Sequence, residues 1–227
     1  MDPPTRGLAA RAVEAGSGSV KILAISDKIE EIIYSPELKD RFGNVDLVLS
    51  CGDLPFYYLE YIVTLLNVPL LYVQGNHSPQ IEHTYSGEKK SNPGGCLDID
   101  DRSVEIQGLL IGGLEGSMRY TPQGRYQNTE GEMQRKVWRM APQLLLNRLV
   151  RGRCLDILIT HAPPYGIHDG EDRCHTGFRV FRSFMDRYRP RYLLHGHMHI
   201  YHPLNSRVTS YGRTTVINAY GYQVLEI

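Results

Sequence analysis

The chain has 227 residues, with 25 Lys and Arg set against 25 Asp and Glu, and 41% of its residues are hydrophobic. That length suits one domain, and the composition excludes a disordered, collagen-like or coiled-coil chain. Zero net charge with no long basic run removes the attraction that a polyanion or an acidic membrane exploits, so no nucleic-acid partner is expected. The longest apolar region, from Tyr61 to Val73, is broken by Asn67 and Pro69. It falls short of the roughly 20 residues that span a bilayer, and no membrane association is expected. Residues 1–19 lack the apolar stretch of a secretory signal and read as a flexible tail ahead of one domain over 20–227, which points to the cytoplasm. Cys51, Cys96, Cys154 and Cys174 are scattered without a CxxC pair, as in a chain of reduced thiols.

Taken in chain order, the apolar runs of strand length are Val20–Ile25, Leu47–Leu49, Leu70–Val73, Leu109–Ile111, Leu155–Ile159 and Tyr192–Leu194. Helical segments fall between several of them. Ser35-Pro36 reads as a cap and first helical position for a short segment to Arg41, and Phe56–Leu66 carries Leu59, Ile62, Val63 and Leu66 on one face. Thr129 and Glu132 fit a capping box that opens a helix expected to break or kink near Pro142. Thr176 can cap a last helix, which Pro190 stops. After it, Arg207–Tyr211, Thr214–Asn218 and Tyr222–Ile227 alternate like consecutive strands joined at Gly212 and Gly221. The expected fold is therefore α/β, a four-layer α-β-β-α sandwich of two mixed sheets with helices outside.

The chemistry lies where the apolar runs stop. They end at Asp27, at Gly52-Asp53, at Gly75-Asn76-His77, at Thr160-His161 and at His195-Gly196-His197-Met198-His199. Carboxyl ends of strands in an α/β sheet collect on one edge, so these residues can converge. Carboxylate, amide oxygen and imidazole form a mixed O/N set that suits Mn²⁺, Fe or Zn²⁺ better than an all-thiolate or all-oxygen site does. Such ions polarise a phosphoryl oxygen and activate water, so phosphoester hydrolysis follows. His175 stands at a predicted helix start, where backbone N–H groups favour an anion; it is a candidate substrate contact, and a plain loop histidine fits equally well. Arg119, Arg125 and Arg173 stand in loops where a guanidinium could clamp phosphate, with a solvated surface charge the default reading for each alone.

In this order and spacing, Asp27, Cys51-Gly52-Asp53, Gly75-Asn76-His77, Thr160-His161 and Gly196-His197-Met198-His199 resemble the five blocks of the calcineurin-like metallophosphoesterase superfamily. His161-Ala162-Pro163-Pro164-Tyr165-Gly166 and the compact length are similar to its small single-domain phosphodiesterase-like branch. The resemblance implies a double β-sandwich flanked by helices. It implies one or two divalent ions, the first on Asp53, Asn76, His161 and His197, the second on Asp27, Asp53 and His199. His77 becomes the catalytic residue that assists the leaving group, and the partner becomes a small phosphoester substrate, nucleotide-like or another small phosphodiester.

Two positions depart from that pattern. Ile29 stands where the family has a histidine ligand, and Ser78 where it has an acidic residue. A second reading follows from them: a module of the same fold that binds metal or ligand with weak or no catalysis.

Overall fold

The computed structural model describes residues 19–79, 81–83, 87, 89–200 and 206–227. Apart from Ser19, the tail expected over 1–19 lies outside the described residues. In chain order the elements are β1 (Lys21–Ser26), α1 (Leu38–Phe42), β2 (Leu47–Ser50), α2 (Phe56–Leu66), β3 (Leu70–Tyr72), β4 (Glu82–His83), β5 (Lys89–Lys90), β6 (Leu97–Asp98), β7 (Ser103–Ile106) and β8 (Leu109–Leu114). There follow β9 (Ser117–Met118), β10 (Gln127–Asn128), α3 (Glu130–Arg151), β11 (Ile157–Thr160), α4 (Arg179–Tyr188), β12 (Tyr192–His195), β13 (Val208–Tyr211), β14 (Thr214–Asn218) and β15 (Gly221–Glu226).

Two mixed sheets form, one in the order β15-β1-β2-β3-β6 and the other β13-β14-β12-β11-β8-β7. In the first, β1, β2, β3 and β6 are parallel and β15 is antiparallel to β1. In the second, β14, β12, β11 and β8 are parallel, with β13 and β7 antiparallel at its edges. Register aligns the strand ends: Ile25 pairs with Ser50, Ser50 with Tyr72, and Thr160 with His195. The loops that follow those strands therefore leave each sheet at one level.

Successive side chains of a strand point to opposite faces, and this alternation sorts the apolar residues into three clusters. Ile22 and Ala24, Leu47 and Leu49, Ile157 and Ile159, and Leu194 share one cluster, which brings the two sheets face to face. Their neighbours Leu23, Ile25 and Val48 point the other way, onto Leu38 and Phe42 of α1 and Leu59 and Ile62 of α2. Leu158 and Leu193 do the same on the second sheet, beneath Met133, Val137 and Met140 of α3 and Phe181, Phe184 and Met185 of α4. Strands buried on both faces read as continuous apolar runs, which is why they stood out in the sequence.

Three local expectations are corrected. α1 begins at Leu38, not after Ser35; the Ser35 hydroxyl instead accepts from the Glu37 N–H in a turn. α3 runs past Pro142 without the expected break. Pro142 is exposed, and the buried face from Met133 to Leu144 holds both halves of the helix on the sheet. α4 starts at Arg179, while the Thr176 hydroxyl donates to the Asp172 carbonyl. The N-terminus of α4 is instead met by Glu130 of α3, whose carboxylate accepts from the N–H groups of Arg179 (3.2 Å) and Val180 (2.6 Å). Likewise Glu82 accepts from Phe56 and Tyr57 at the start of α2.

Candidate metal centre

Three of the strands that end at the common edge turn sharply just beyond it. Asp27, Asp53 and His197 follow β1, β2 and β12 with φ of 63°, 56° and 67°, in the left-handed region that non-glycine residues rarely adopt. Gly196 permits the two sheets to meet there, because a Cβ at that position would collide with the Ser26 hydroxyl and the Asp27 carboxylate. The His197 N–H donates to both Asp27 oxygens, at 3.1 and 2.9 Å, and the Gly196 N–H donates to the His161 carbonyl. Strand ends from both sheets are thus tied together.

His161, fully buried, is the centre of the cluster. Its Nδ1 lies 2.8 Å from the Cys51 carbonyl, which can only accept, so Nδ1 carries the proton. Its Nε2 then faces Asp53 Oδ2 at 3.2 Å and Asn76 Oδ1 at 3.1 Å. The Asn76 amide is oriented by its own Nδ2, which donates to the Tyr120 hydroxyl at 3.3 Å. Once the ring is neutral, three lone-pair atoms converge on one point. Donor atoms of Asp53, His161 and His197 lie within 4.8 Å of one another, and the His161 and His197 rings are 4.9 Å apart at their centroids.

The electrostatics agree with that geometry. Burial disfavours a charged His161, yet the charge and hydrogen bond of Asp53, with Asp27 beyond it, draw its pKa up to about 9. Burial likewise disfavours a charged Asp53, but His161 and the His77 N–H hold its pKa down to about 2. His197 is pushed down to about 3, first by burial and then by the neighbouring His161. Burial raises Asp27. The field here favours a cation, and the carboxylate, amide and imidazole donors fit a divalent ion.

The remaining candidates fall around this core. His199 Nε2 is 4.0 Å from Asp27 Oδ1, and its ring packs on Tyr220 with centroids 4.7 Å apart. Ile29 is 37% exposed. His77 is exposed at the rim, and its backbone N–H donates to Asp53 Oδ1 at 2.8 Å. Buried Ser78 knits the same turn: its hydroxyl accepts from the N–H groups of Gly75 (2.7 Å) and Asp53 (3.1 Å) and donates to Asp53 Oδ1. His175 stacks near His197, centroids 5.2 Å apart, and its Nδ1 donates to Asp172 at 2.6 Å. The Cys174 carbonyl lies 2.8 Å from His197 Nε2. Arg119 is committed elsewhere, to Glu132 and the Gln127 carbonyl.

His195 and His168 form a support that sequence reasoning missed in part. His195, directly after the last apolar run, reads from sequence as either core or supporting, and His168 as a surface residue. In the fold, His195 Nδ1 donates to the Gly196 carbonyl, so its Nε2 accepts from His168 Nδ1 at 2.9 Å. His168 Nε2 in turn accepts from the Thr209 hydroxyl at 2.8 Å. Burial keeps His195 neutral, with its pKa pushed down to about 3. His168 has φ of 59°, another left-handed residue spent on this junction. The chain of three bonds ties the loop after β11, the turn after β12 and edge strand β13 to one another. Tyr120 was missed as well, since nothing in its neighbourhood of sequence marks it as a partner of Asn76.

Two mixed sheets flanked by helices thus gather oxygen and imidazole donors where their parallel strands end. The calcineurin-like phosphoesterase family model matches residues 20–201, and the chain belongs to that family. It is 25% identical over 225 residues to UPF0046 protein K07C11.7 of Caenorhabditis elegans, covering 90% of this chain and 70% of that one. The crystal structure of TT1561 from Thermus thermophilus aligns over 89% of this chain and 90% of its own, with a TM-score of 0.56 and 12% identity. Another crystal structure aligns over 92% and 95%, with a TM-score of 0.60 and 15% identity. At these identities the structural likeness is one of fold. Among the described residues, no helix is long and apolar enough to cross a membrane.

Proposed function

We propose that the chain is a metal-dependent hydrolase of small phosphodiesters, nucleotide-like or aryl. The observation that carries this reading is the convergence of His161 Nε2, Asp53 Oδ2 and Asn76 Oδ1, three acceptors in a buried field that favours a cation. Asp53, Asn76, His161 and His197 would hold the first ion. Asp27, Asp53 and His199 would hold a second, with Ile29 contributing nothing. Mn²⁺, Fe or Zn²⁺ suits these donors. When bound, such an ion supplies Lewis acidity toward a phosphoryl oxygen and lowers the pKa of water.

The chain's own groups do the rest. Asp53 and Asn76 fix the ligand side of the pocket, each held by a backbone or side-chain hydrogen bond. The exposed His77 imidazole at the rim gives a proton to the departing oxygen, with Ser78 keeping its turn in place. His175, which Asp172 holds beside His197, would stand on the substrate side of the site. A diester is favoured over a monoester by the likeness of His161-Ala162-Pro163-Pro164-Tyr165-Gly166 to the small phosphodiesterase-like branch.

The test is elemental analysis of the purified chain, paired with hydrolysis of an aryl phosphodiester and an aryl phosphomonoester in added Mn²⁺. Bound metal with diester turnover is expected. Asp53→Asn should lose metal and reduce turnover at least about a thousandfold while its circular dichroism stays unchanged. One held ion with no turnover in excess Mn²⁺ would favour the binding-module reading instead. An Asp53→Asn variant that keeps its activity would overturn the site. Ile29→His should raise both metal stoichiometry and rate if the missing donor limits the second ion.

A further inference from the structure

Beside the oxygen-rich cluster lies a second set of donors of different character. The Cys174 sulfur and ring nitrogens of His175 and His197 come within 4.8 Å of one another. His175 is already prepared as a ligand. Its Nδ1 donates to Asp172 Oδ2 at 2.6 Å, which leaves Nε2 as the lone-pair atom and fixes the ring's direction. A carboxylate behind an imidazole is the usual arrangement that orients a metal-binding histidine. The Asp172 carboxylate also accepts from the N–H groups of Cys174 and His175, so the loop bearing both donors is shaped by one side chain. The Cys174 carbonyl accepts from His197 Nε2–H at 2.8 Å, which holds the third residue against the same loop and leaves Nδ1 as its lone-pair atom.

We propose that Cys174, His175 and His197 form a metal site for a thiophilic ion such as Zn²⁺. One sulfur and two imidazoles select a soft or borderline ion over Mn²⁺ or Mg²⁺, and three protein ligands leave the fourth tetrahedral position to water. As the sulfur binds, the thiol proton leaves to solvent. His197 belongs to both sets, so an ion here withdraws it from the Asp53 cluster. Ion binding stands without the proposed function; only its inhibitory consequence rests on that reading.

The experiment titrates the reduced full-length chain with Co²⁺ and with Cd²⁺ and follows the sulfur-to-metal charge-transfer absorption. A band is expected to saturate near one ion per chain, to vanish in Cys174→Ser and to survive in Asp53→Asn. Competition with a chromophoric chelator should show Zn²⁺ held at least about tenfold less tightly in Asp172→Asn, which loses the orienting carboxylate. Absence of a sulfur band in the wild-type chain, or a band unchanged in Cys174→Ser, would overturn the site. Should Cys174→Ser fail to fold, ¹¹³Cd NMR of the wild-type chain decides, since its shift separates an N/S ligand set from an N/O one. Zn²⁺ should also slow Mn²⁺-supported diester turnover, and less so in Cys174→Ser. A sulfur band without any turnover would leave this site standing and count against the phosphoesterase reading alone.

Discussion

Ser78 occupies a place where a carboxylate would be the family habit, and its hydroxyl both accepts from two N–H groups and donates to Asp53. Ser78→Ala leaves those N–H groups unsatisfied in a buried turn, a loss of about 1–3 kcal/mol, read as a lower denaturant midpoint. A similar loss is expected for His168→Ala, which deprives His195 of its donor. Titration gives a sharper expectation. His161 acquires its partner on folding, so its contribution is complete below its ordinary value of 6.5 and is lost as pH rises through about 9. Asp53 contributes above its ordinary 3.8 and loses that contribution as pH falls through about 2. In chelator, stability should therefore decline between pH 6.5 and 9, while metal affinity rises over the same interval as the competing proton leaves. Parallel denaturant titrations and proton-release measurements check both. At this scale the proposed ligand residues were legible in the sequence because strand ends display them. The partners of His168 and Tyr120 were not, since the bonded residues lie 27 and 44 positions away.

Helix termini show the limits of local signals. The Thr129–Glu132 capping box was legible because both partners lie within one turn, and it forms with both hydrogen bonds present. Thr129→Ala should lower stability by about 1 kcal/mol. The starts of α2 and α4 carry no such signal, because Glu82 and Glu130 reach them from 25 to 50 residues away. Glu130→Ala frees two N–H groups at a helix start and should destabilise by about 1–2 kcal/mol, with α4 amides exchanging faster in hydrogen-exchange measurements. A sequence reader looks for a cap beside the helix, so Thr176 drew the assignment that belongs to a residue on another helix.

On the scale of the whole molecule, the layers were readable because strands buried on two faces leave uninterrupted apolar runs, and the long α3 announced itself by its cap. The trade of face between Leu23 and Ala24, or Leu158 and Ile159, needed only the two-residue period. The proposed ligand set spans the layers: Asp53 and Asn76 follow strands of one sheet, His161 and His197 strands of the other. A bound ion is then a clasp between sheets. At a hundredfold excess over its dissociation constant, Mn²⁺ should stabilise the fold by about 2.7 kcal/mol, and chelation should reverse the gain in a thermal scan.

Left-handed backbone at Asp27, Asp53 and His197 has an evolutionary corollary. Each of these residues sits in a conformation that favours glycine by roughly 1 kcal/mol or more, a cost that the hydrogen bonds accepted by Asp27 and Asp53 offset. A descendant of this chain that dropped those side chains would keep the turns and lose the bonds, so glycine is the replacement each turn would tolerate best. A census of distant descendants could then be sorted by how many of the three positions still carry an ionisable side chain.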